Sequence, residues 1–309
     1  MLAVRPYSPV DAAAWDAVVA QSRSGSLLHL RDYMDYHADR FVDRSLLIER
    51  NGEAVAVFPA NLKGNTVVSH GGLTYAGLLS TPALRTESTL DAFEKIGAFY
   101  RTLAVGRVIY KAVPHVFHRY PADEDLYALH RLGARLQRRD ISSVIALREP
   151  FRFTEERQRA VSKARRLGLR AKASNELADF HSLLTKVLHK HDATPTHSLD
   201  ELQLLQSRFP EQIVLYEVRR EGELLAGAVI YDFGRVVHTQ YLAASDEGRR
   251  LNALNFLLAE LIDVYADRHY FSFGISTEQE GRSINSGLVS QKEYFGARGV
   301  VHDFYEWLL

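Results

Sequence analysis

The stretch IVLYEVRREGELLAGAVIYDFGRVVHTQY, residues 213–241, decides the fold because it is a second version of SLLIERNGEAVAVFPANLKGNTVVSHG, residues 45–71. Residues 46–70 and 216–240 align without a gap at an offset of 170 and share six residues, among them Gly52 with Gly222 and Gly64 with Gly234. Each contains three strand-forming runs separated by glycine-containing turns, the pattern of an antiparallel meander. The chain is therefore predicted to be a duplication.

The similarity between the halves extends beyond the meander. Leu-Gly-Ala-Arg at 132–135 matches Phe-Gly-Ala-Arg at 295–298, and a helical stretch at 11–21 matches another at 176–186. In the second half the pattern predicts helices near residues 176–190, 198–208, 248–266 and 285–295. It predicts the meander near 212–242 and further strands near 270–276 and 299–307. A meander followed by a helix and a further strand predicts a mixed α/β sheet rather than a doubly wound one.

We therefore expect two diverged domains of one fold, at residues 1–150 and 151–309, with a basic helix at 155–172 leading into the second. The 309 residues are the length of about two ordinary domains. The chain has 46% apolar residues and 38 basic against 38 acidic side chains, which indicates a globular protein without a strong overall charge. The zero net charge argues against a broad nucleic-acid-binding surface.

The chain contains no cysteine, which excludes disulfides, thiolate metal sites and a cysteine nucleophile. The N-terminal residues lack the apolar stretch of a secretion signal, and the most apolar helical window, 251–265, is interrupted by polar and acidic residues. We therefore expect a cytoplasmic protein without a membrane span.

Several segments resemble the tandem GNAT-fold, FemABX-like N-acyltransferases. They are SKARRLGLR at 162–170, PTHSLDELQLL at 195–205, VVHTQYLAAS at 236–245, FSFGISTEQEG at 271–281 and KEYFGAR at 292–298. The resemblance implies acyl transfer to an amine without a metal. It also implies that one copy keeps the donor site while the other is remodelled, and here we expect the second copy to keep it.

The resemblance places the donor, acyl-CoA, at two features of the second half. GNAT enzymes bind the donor pyrophosphate on backbone N–H groups at the start of the long helix, where the helix dipole favours an anion. Gly248, Arg249 and Arg250 occupy that position, although an ordinary helix-start turn is the alternative. The backbone of Gln240, Leu242 and Ala243 is expected to face the thioester, because the strand carrying it should splay from the strand at 271–276 and expose oxyanion donors.

Three side chains are candidates for proton transfer. Strand alternation puts His238 and Gln240 on one face and Thr239 and Tyr241 on the other. His238 or Glu278 would take the proton of the amine, and Tyr241 would protonate the leaving thiolate. The alternative interpretations are that His238 is a structural histidine, Glu278 a solvated loop carboxylate and Tyr241 a buried aromatic residue.

The acceptor is expected to meet polar residues of two further segments. His191, Asp192 and His197 lie in the loop HKHDATPTH at 189–197, and Asn285 and Lys292 lie on the helix before the last strand. Lys292 would neutralise developing negative charge. Three histidines in nine residues also suggest a metal, but no HExxH pattern accompanies them and we expect none.

The sequence thus predicts an N-acyltransferase that moves an acyl group, such as acetyl, from acyl-CoA to a primary amine. An amino sugar of a surface polysaccharide precursor is one such acceptor. Without a cysteine, the transfer must be direct. The basic helix leaves open an aminoacyl-tRNA-dependent transfer to a peptidoglycan or lipid precursor. A non-catalytic ligand-binding or scaffold protein is the alternative from another class.

Overall fold

A computed structural model of the chain describes residues 1–190 and 192–309 and divides into two units. The first unit comprises Met1–Asp140, Gln279–Arg282 and Val301–Leu309, and the second comprises Ile141–Glu278 and Ser283–Val300. The chain first passes from one unit to the other between Asp140 and Ile141, ten residues before the expected boundary, and Gln279–Arg282 and the last nine residues return to the first unit.

Among the described residues, the α-helices and strands have the following bounds. The helices are α1 (Ala12–Gln21), α2 (Arg31–Met34), α3 (Thr86–Thr102), α4 (Glu124–Arg131), α5 (Glu155–Arg166), α6 (Leu177–His189), α7 (Leu199–Arg208), α8 (Asp246–Arg250), α9 (Ala253–Val264) and α10 (Ser286–Glu293). The strands are β1 (Leu2–Pro6), β2 (Val42–Asp43), β3 (Leu46–Arg50), β4 (Glu53–Phe58), β5 (Asn61–Lys63), β6 (Thr66–Val68), β7 (Leu79–Ser80), β8 (Arg107–Lys111), β9 (Arg135–Ala146), β10 (Ala171–Ser174), β11 (Ile213–Arg220), β12 (Glu223–Asp232), β13 (Val236–Ala244), β14 (Tyr270–Ile275), β15 (Thr277–Glu278), β16 (Ser283–Ile284) and β17 (Arg298–Leu308).

The C-terminal strand completes the first unit. Residues 304–308 of β17 pair antiparallel with β8, and Trp307 is buried in the apolar core of that unit with Phe93 and Tyr110. Helix α3 approaches the indole so closely that a Cβ on Gly97 would lie 2.8 Å from it. The size of this buried contact explains why the end of the chain packs with the first unit.

The second unit is built on the strand order β10-β11-β12-β13-β14-β9, in which only β13 and β14 run parallel. Helices α5 and α9 bury an apolar core against one face, with Val161 of α5 and Phe256 of α9 among its members. Helix α6 lies on the other face, where Gly227 leaves room for the ring of Phe180. The two faces are therefore covered by different helices.

The predicted meander forms in the second half but not in the first. Strands β11, β12 and β13 pair in sequence, whereas β4 pairs with β3 and β7, and β5 and β6 form a hairpin in another sheet. Pro59 follows β4 at the position that Val229 occupies within β12. Because proline cannot donate to a strand ladder, the first copy ends its strand where the second continues.

Two predicted helices are shorter in the structure. The helix expected at 248–266 is divided into α8 and α9 by Asn252, which has a left-handed backbone with φ 60°. The basic helix expected at 155–172 ends at Arg166, and Gly168, with φ +74°, lets the chain turn into β10. None of the helices in the described residues is long and apolar enough to cross a bilayer.

Candidate active site

The second unit contains an opening between β13 and β14. The two strands pair only from Val236 with Tyr270 to His238 with Ser272, although β13 continues to Ala244 and β14 to Ile275. Beyond His238, β13 pairs with β12 alone among the described strands, so alternate backbone N–H groups on its other edge face the opening. The expected splay is therefore present, at the Gln240–Ala243 backbone.

A β-bulge at Gln240 changes which side chains share a face. Thr239 pairs with Ile230 and Tyr241 with Val229, so Gln240 is an extra residue opposite β12. His238, which pairs with Tyr231, and Tyr241 consequently point to the same side of the sheet. The predicted alternation, with these two side chains on opposite faces, is wrong because it assumed a regular strand.

Tyr241 and His197 form one hydrogen-bonded pair on this face. The Tyr241 hydroxyl lies 2.6 Å from His197 Nδ1 and accepts the His197 backbone N–H at 3.1 Å. His181 on α6 reaches the His197 carbonyl through Nε2 at 3.0 Å. Burial raises the pKa of Tyr241, so its hydroxyl stays protonated at neutral pH. Tyr241, the predicted proton donor, and His197, a predicted contact of the acyl acceptor, therefore lie side by side.

The loop that carries His197 is held by the start of α7. Ser198 Oγ accepts the Glu201 N–H, and the Glu201 carboxylate accepts the Ser198 N–H, a reciprocal capping box. Asp192 lies earlier in this loop and is exposed, with its backbone N–H donated to His189. His191, the third candidate of the loop, lies outside the described residues.

His238 is half-buried and is oriented by two neighbours. Its Nδ1 lies 3.1 Å from Ser272 Oγ, and its ring stacks on Phe233 at a centroid distance of 6.4 Å. A Cβ on Gly274, whose φ is +77°, would come within 3.3 Å of the imidazole. Ser272 was not among the predicted residues, although its place between Phe271 and Phe273 marks it as the polar position of an alternating strand.

Glu278 is exposed on β15 and contacts the start of α10. Its carboxylate accepts Asn285 Nδ2 at 2.7 Å, while Asn285 Oδ1 caps the helix by accepting the Leu288 N–H at 3.0 Å. The two predicted site residues therefore bind each other.

Lys292 is buried and bonded to the end of β14. Its ammonium donates to the carbonyls of Gly274 and Ile275, both at 2.8 Å, and to Ser276 Oγ at 2.6 Å. Burial lowers the pKa of Lys292 to about 8. Three donors meet three acceptors, so Lys292 positions the splayed strand and is not free to neutralise an oxyanion, which corrects the prediction.

The residues predicted to bind the donor phosphates make their contacts within their own turn. The Gly248 N–H donates to Ser245 Oγ at 3.0 Å, while Arg249 pairs with Asp246 and Arg250 pairs with Glu247. These contacts fit the alternative interpretation, a helix-start turn. The glycine has a packing reason as well, since a Cβ there would lie 1.8 Å from the Leu225 carbonyl oxygen.

We expect Gly248→Ala to lower the free energy of unfolding by about 1–3 kcal/mol, because the backbone of β12 must move away from the new methyl group. Urea denaturation of the purified variant measures this. Gly287→Ala in α10 is the control, since its Cβ would meet only Asn285 Oδ1, at 3.5 Å. Equal stability of Gly248→Ala and the parent would contradict the packing argument.

The described residues contain no group of three or more histidine, aspartate or glutamate side chains arranged to hold a metal ion.

Residues 151–281, most of the second unit, match the family described as acetyltransferase (GNAT) domain. The structure is similar to that of FemX, with a TM-score of 0.71 and 14% identity over 99% of this chain and 97% of FemX. L-PGS from Bacillus licheniformis gives a TM-score of 0.64 and 15% identity over 98% and 93%. A tandem GNAT protein from the clavulanic acid biosynthesis pathway gives 0.52 and 10% over 99% and 98%. No curated protein matches the chain.

These similarities confirm the predicted fold. The chain has a mixed α/β, tandem GNAT fold of the FemABX-like type.

Proposed function

We propose that the chain transfers an acyl group from acyl-CoA directly to a primary amine, since residues 151–281 match the acetyltransferase (GNAT) domain family. The observation that carries this proposal is the opening beyond His238, where a free edge of β13 meets a face that presents both His238 and Tyr241. An amino sugar of a surface polysaccharide precursor is the acceptor we favour.

The donor would lie along the free edge of β13. Backbone N–H groups between Gln240 and Ala243 are fixed by the ladder to β12 and would donate to the thioester carbonyl as negative charge develops on its oxygen. Such donors need no reorganisation during the reaction. Gly248, Arg249 and Arg250 contact Ser245, Asp246 and Glu247 respectively, so the strand edge has the larger part in donor binding.

The acceptor amine would approach from the face of His238 and Tyr241. His238, held through Nδ1 by Ser272, takes the proton that the amine loses as its nitrogen attacks the carbonyl carbon. The carbon–sulfur bond breaks, and the protonated Tyr241 hydroxyl supplies a proton to the thiolate. His197 and Gln240 lie beside this hydroxyl, and Glu278 and Asn285 are proposed to contact the acceptor at the end of β14.

Titration calorimetry with a panel of acyl-CoAs is expected to show saturable binding. Addition of an amine should then release one thiol per acyl group transferred. Because the chain has no cysteine, a thiol reagent reports the released coenzyme without protein background. Absence of both heat and thiol release across the panel would refute the acyl-CoA donor and favour a non-catalytic scaffold.

A second candidate donor is aminoacyl-tRNA, which the exposed cations around α5 favour. Lys163, Arg166, Arg170 and Lys172 are exposed and form no ion pair with a described residue, whereas Arg165 pairs with Glu260 at 2.7 Å. Retention of charged tRNA, lost in a Lys163→Glu, Arg166→Glu variant, would support this donor over acyl-CoA.

A further inference from the structure

A cavity of about 460 Å³ lies in the second unit on the same side of the sheet as His238. Val144 and Ala146 of β9 line it, together with the loop that follows β9 and the start of β17. The intervening Ile145 points to the opposite side, into the core under α5 and α9.

The strand register connects this cavity to the candidate active site. His238 pairs with Ser272 across β13 and β14, and Ser272 pairs with Val144 across β14 and β9. Paired residues point to the same side of a sheet, so His238, Ser272 and Val144 form one row. Two strand spacings of about 4.8 Å place the cavity floor roughly 10 Å from His238.

Two arginines give the cavity its charge. Arg152 and Arg298 line it, are exposed, and form no ion pair with a described residue. Arg219 and Arg268 of the same unit, by contrast, pair with carboxylates at 2.9 and 2.8 Å. Glu149 is the single carboxylate of the lining, so the cavity carries a net positive charge.

The rest of the cavity is suited to a ligand with an apolar portion. Val144 and Phe151 supply apolar surface. At the rim, a planar guanidinium can donate two parallel hydrogen bonds to a carboxylate or phosphate, which a lysine cannot do. The chemistry of the cavity thus matches an acid joined to an apolar chain.

We propose that this cavity binds the acidic group of the acceptor, a carboxylate or phosphate held by Arg152 and Arg298, while the acceptor amine lies at His238. The proposal rests on the proposed function, and it requires the acceptor to carry a carboxylate or phosphate about 10 Å or more from its amine, since two strand spacings separate His238 from the cavity floor. A neutral amine of the same length would lack this anchor.

Titration calorimetry tests this with three probes: 8-aminooctanoate, 8-aminooctyl phosphate and 1-aminooctane. Their amines are equivalent, and only the first two carry an acid at the far end. We expect the acidic probes to bind about tenfold more tightly than 1-aminooctane at moderate salt, and the tighter of the two identifies the acid. Arg152→Gln and Arg298→Gln should each abolish this preference, while Arg220→Gln, a change at an exposed arginine at the end of β11, should retain it.

Equal affinity for all three probes, or a preference that survives in both cavity variants, would overturn the proposal. Measurement of thiol release distinguishes failure of the anion-site proposal from failure of the proposed acyl transfer. Preferential binding of the acidic probes without transfer from any acyl-CoA would refute acyl transfer and leave the anion site standing. Transfer to 1-aminooctane as efficient as to the acidic probes would refute the anion site and support acyl transfer.

Discussion

Replacement of Tyr241 by Phe is expected to lower kcat for acyl transfer by about 100-fold or more, because the leaving thiolate loses its proton donor. The acyl-CoA Kd should change by less than about twofold, since the proposed donor contacts are made by the strand backbone. Steady-state thiol release gives kcat, and calorimetry gives the Kd.

Tyr216→Phe is the matched control for this variant. Tyr216 also lies in the sheet of the second unit, and its hydroxyl is 3.1 Å from that of Tyr265, on the face covered by α9. Its replacement removes one hydroxyl from the same unit but none from the site. If Tyr241→Phe retained the kcat of Tyr216→Phe, the role of Tyr241 as a proton donor would be refuted.

Lowering the pH from 7.5 to 5 is expected to destabilise the first unit by several kcal/mol. Burial lowers the pKa of His29, His37 and His302 to about 4 and that of His70 to about 3. In the unfolded chain a histidine titrates near pH 6.5, so below this pH the unfolded state binds protons that the folded state excludes. The contribution of these histidines to the free energy of unfolding is therefore complete above pH 6.5 and is lost as the pH falls towards 4.

At pH 5 each of these imidazoles costs about 2 kcal/mol. Burial also raises the pKa of Asp125, in the same unit, to about 6, which opposes the loss by about 1 kcal/mol. The net effect is comparable with the total stability of an ordinary domain, about 5–15 kcal/mol. Urea denaturation at pH 7.5 and 5 measures it.

Replacing His37 is the most direct single test that the buried histidines cause this pH dependence of stability. Neither of its ring nitrogens has a hydrogen-bond partner among the described residues, and its ring lies 5.3 Å from that of His70. His37→Gln should reduce the pH dependence by about a quarter, while His130→Gln, at an exposed site, should leave it unchanged. An identical pH dependence in His37→Gln and the parent would show that other groups cause the loss.

Local patterns in the sequence were sufficient for much of the second unit. The capping box of Ser198 and Glu201 predicted the start of α7, and the runs around Gly222 and Gly234 predicted β11, β12 and β13. These features depend on hydrogen bonds and alternation within a few residues, so they can be read without knowing the packing.

The arrangement of the candidate site depended on contacts between residues distant in the chain. The bulge at Gln240, which brings His238 and Tyr241 to one face, exists only in the pairing with β12, and no residue pattern within β13 predicts it. The hydrogen bonds of Lys292 to the end of β14 likewise require α10 to be docked.

The sequence by itself determined that this chain is a duplicated α/β protein without cysteine, which excludes an acyl-cysteine intermediate. Only the tertiary structure decided that the end of the chain completes the first unit, that Gly248 is a packing residue, and that Tyr241 meets His197 across 44 positions. The physical reason is the range of the forces involved. Turns, caps and strand patterns are set by neighbours in sequence, whereas register, close packing and buried polar pairs are set by whatever the fold brings into contact.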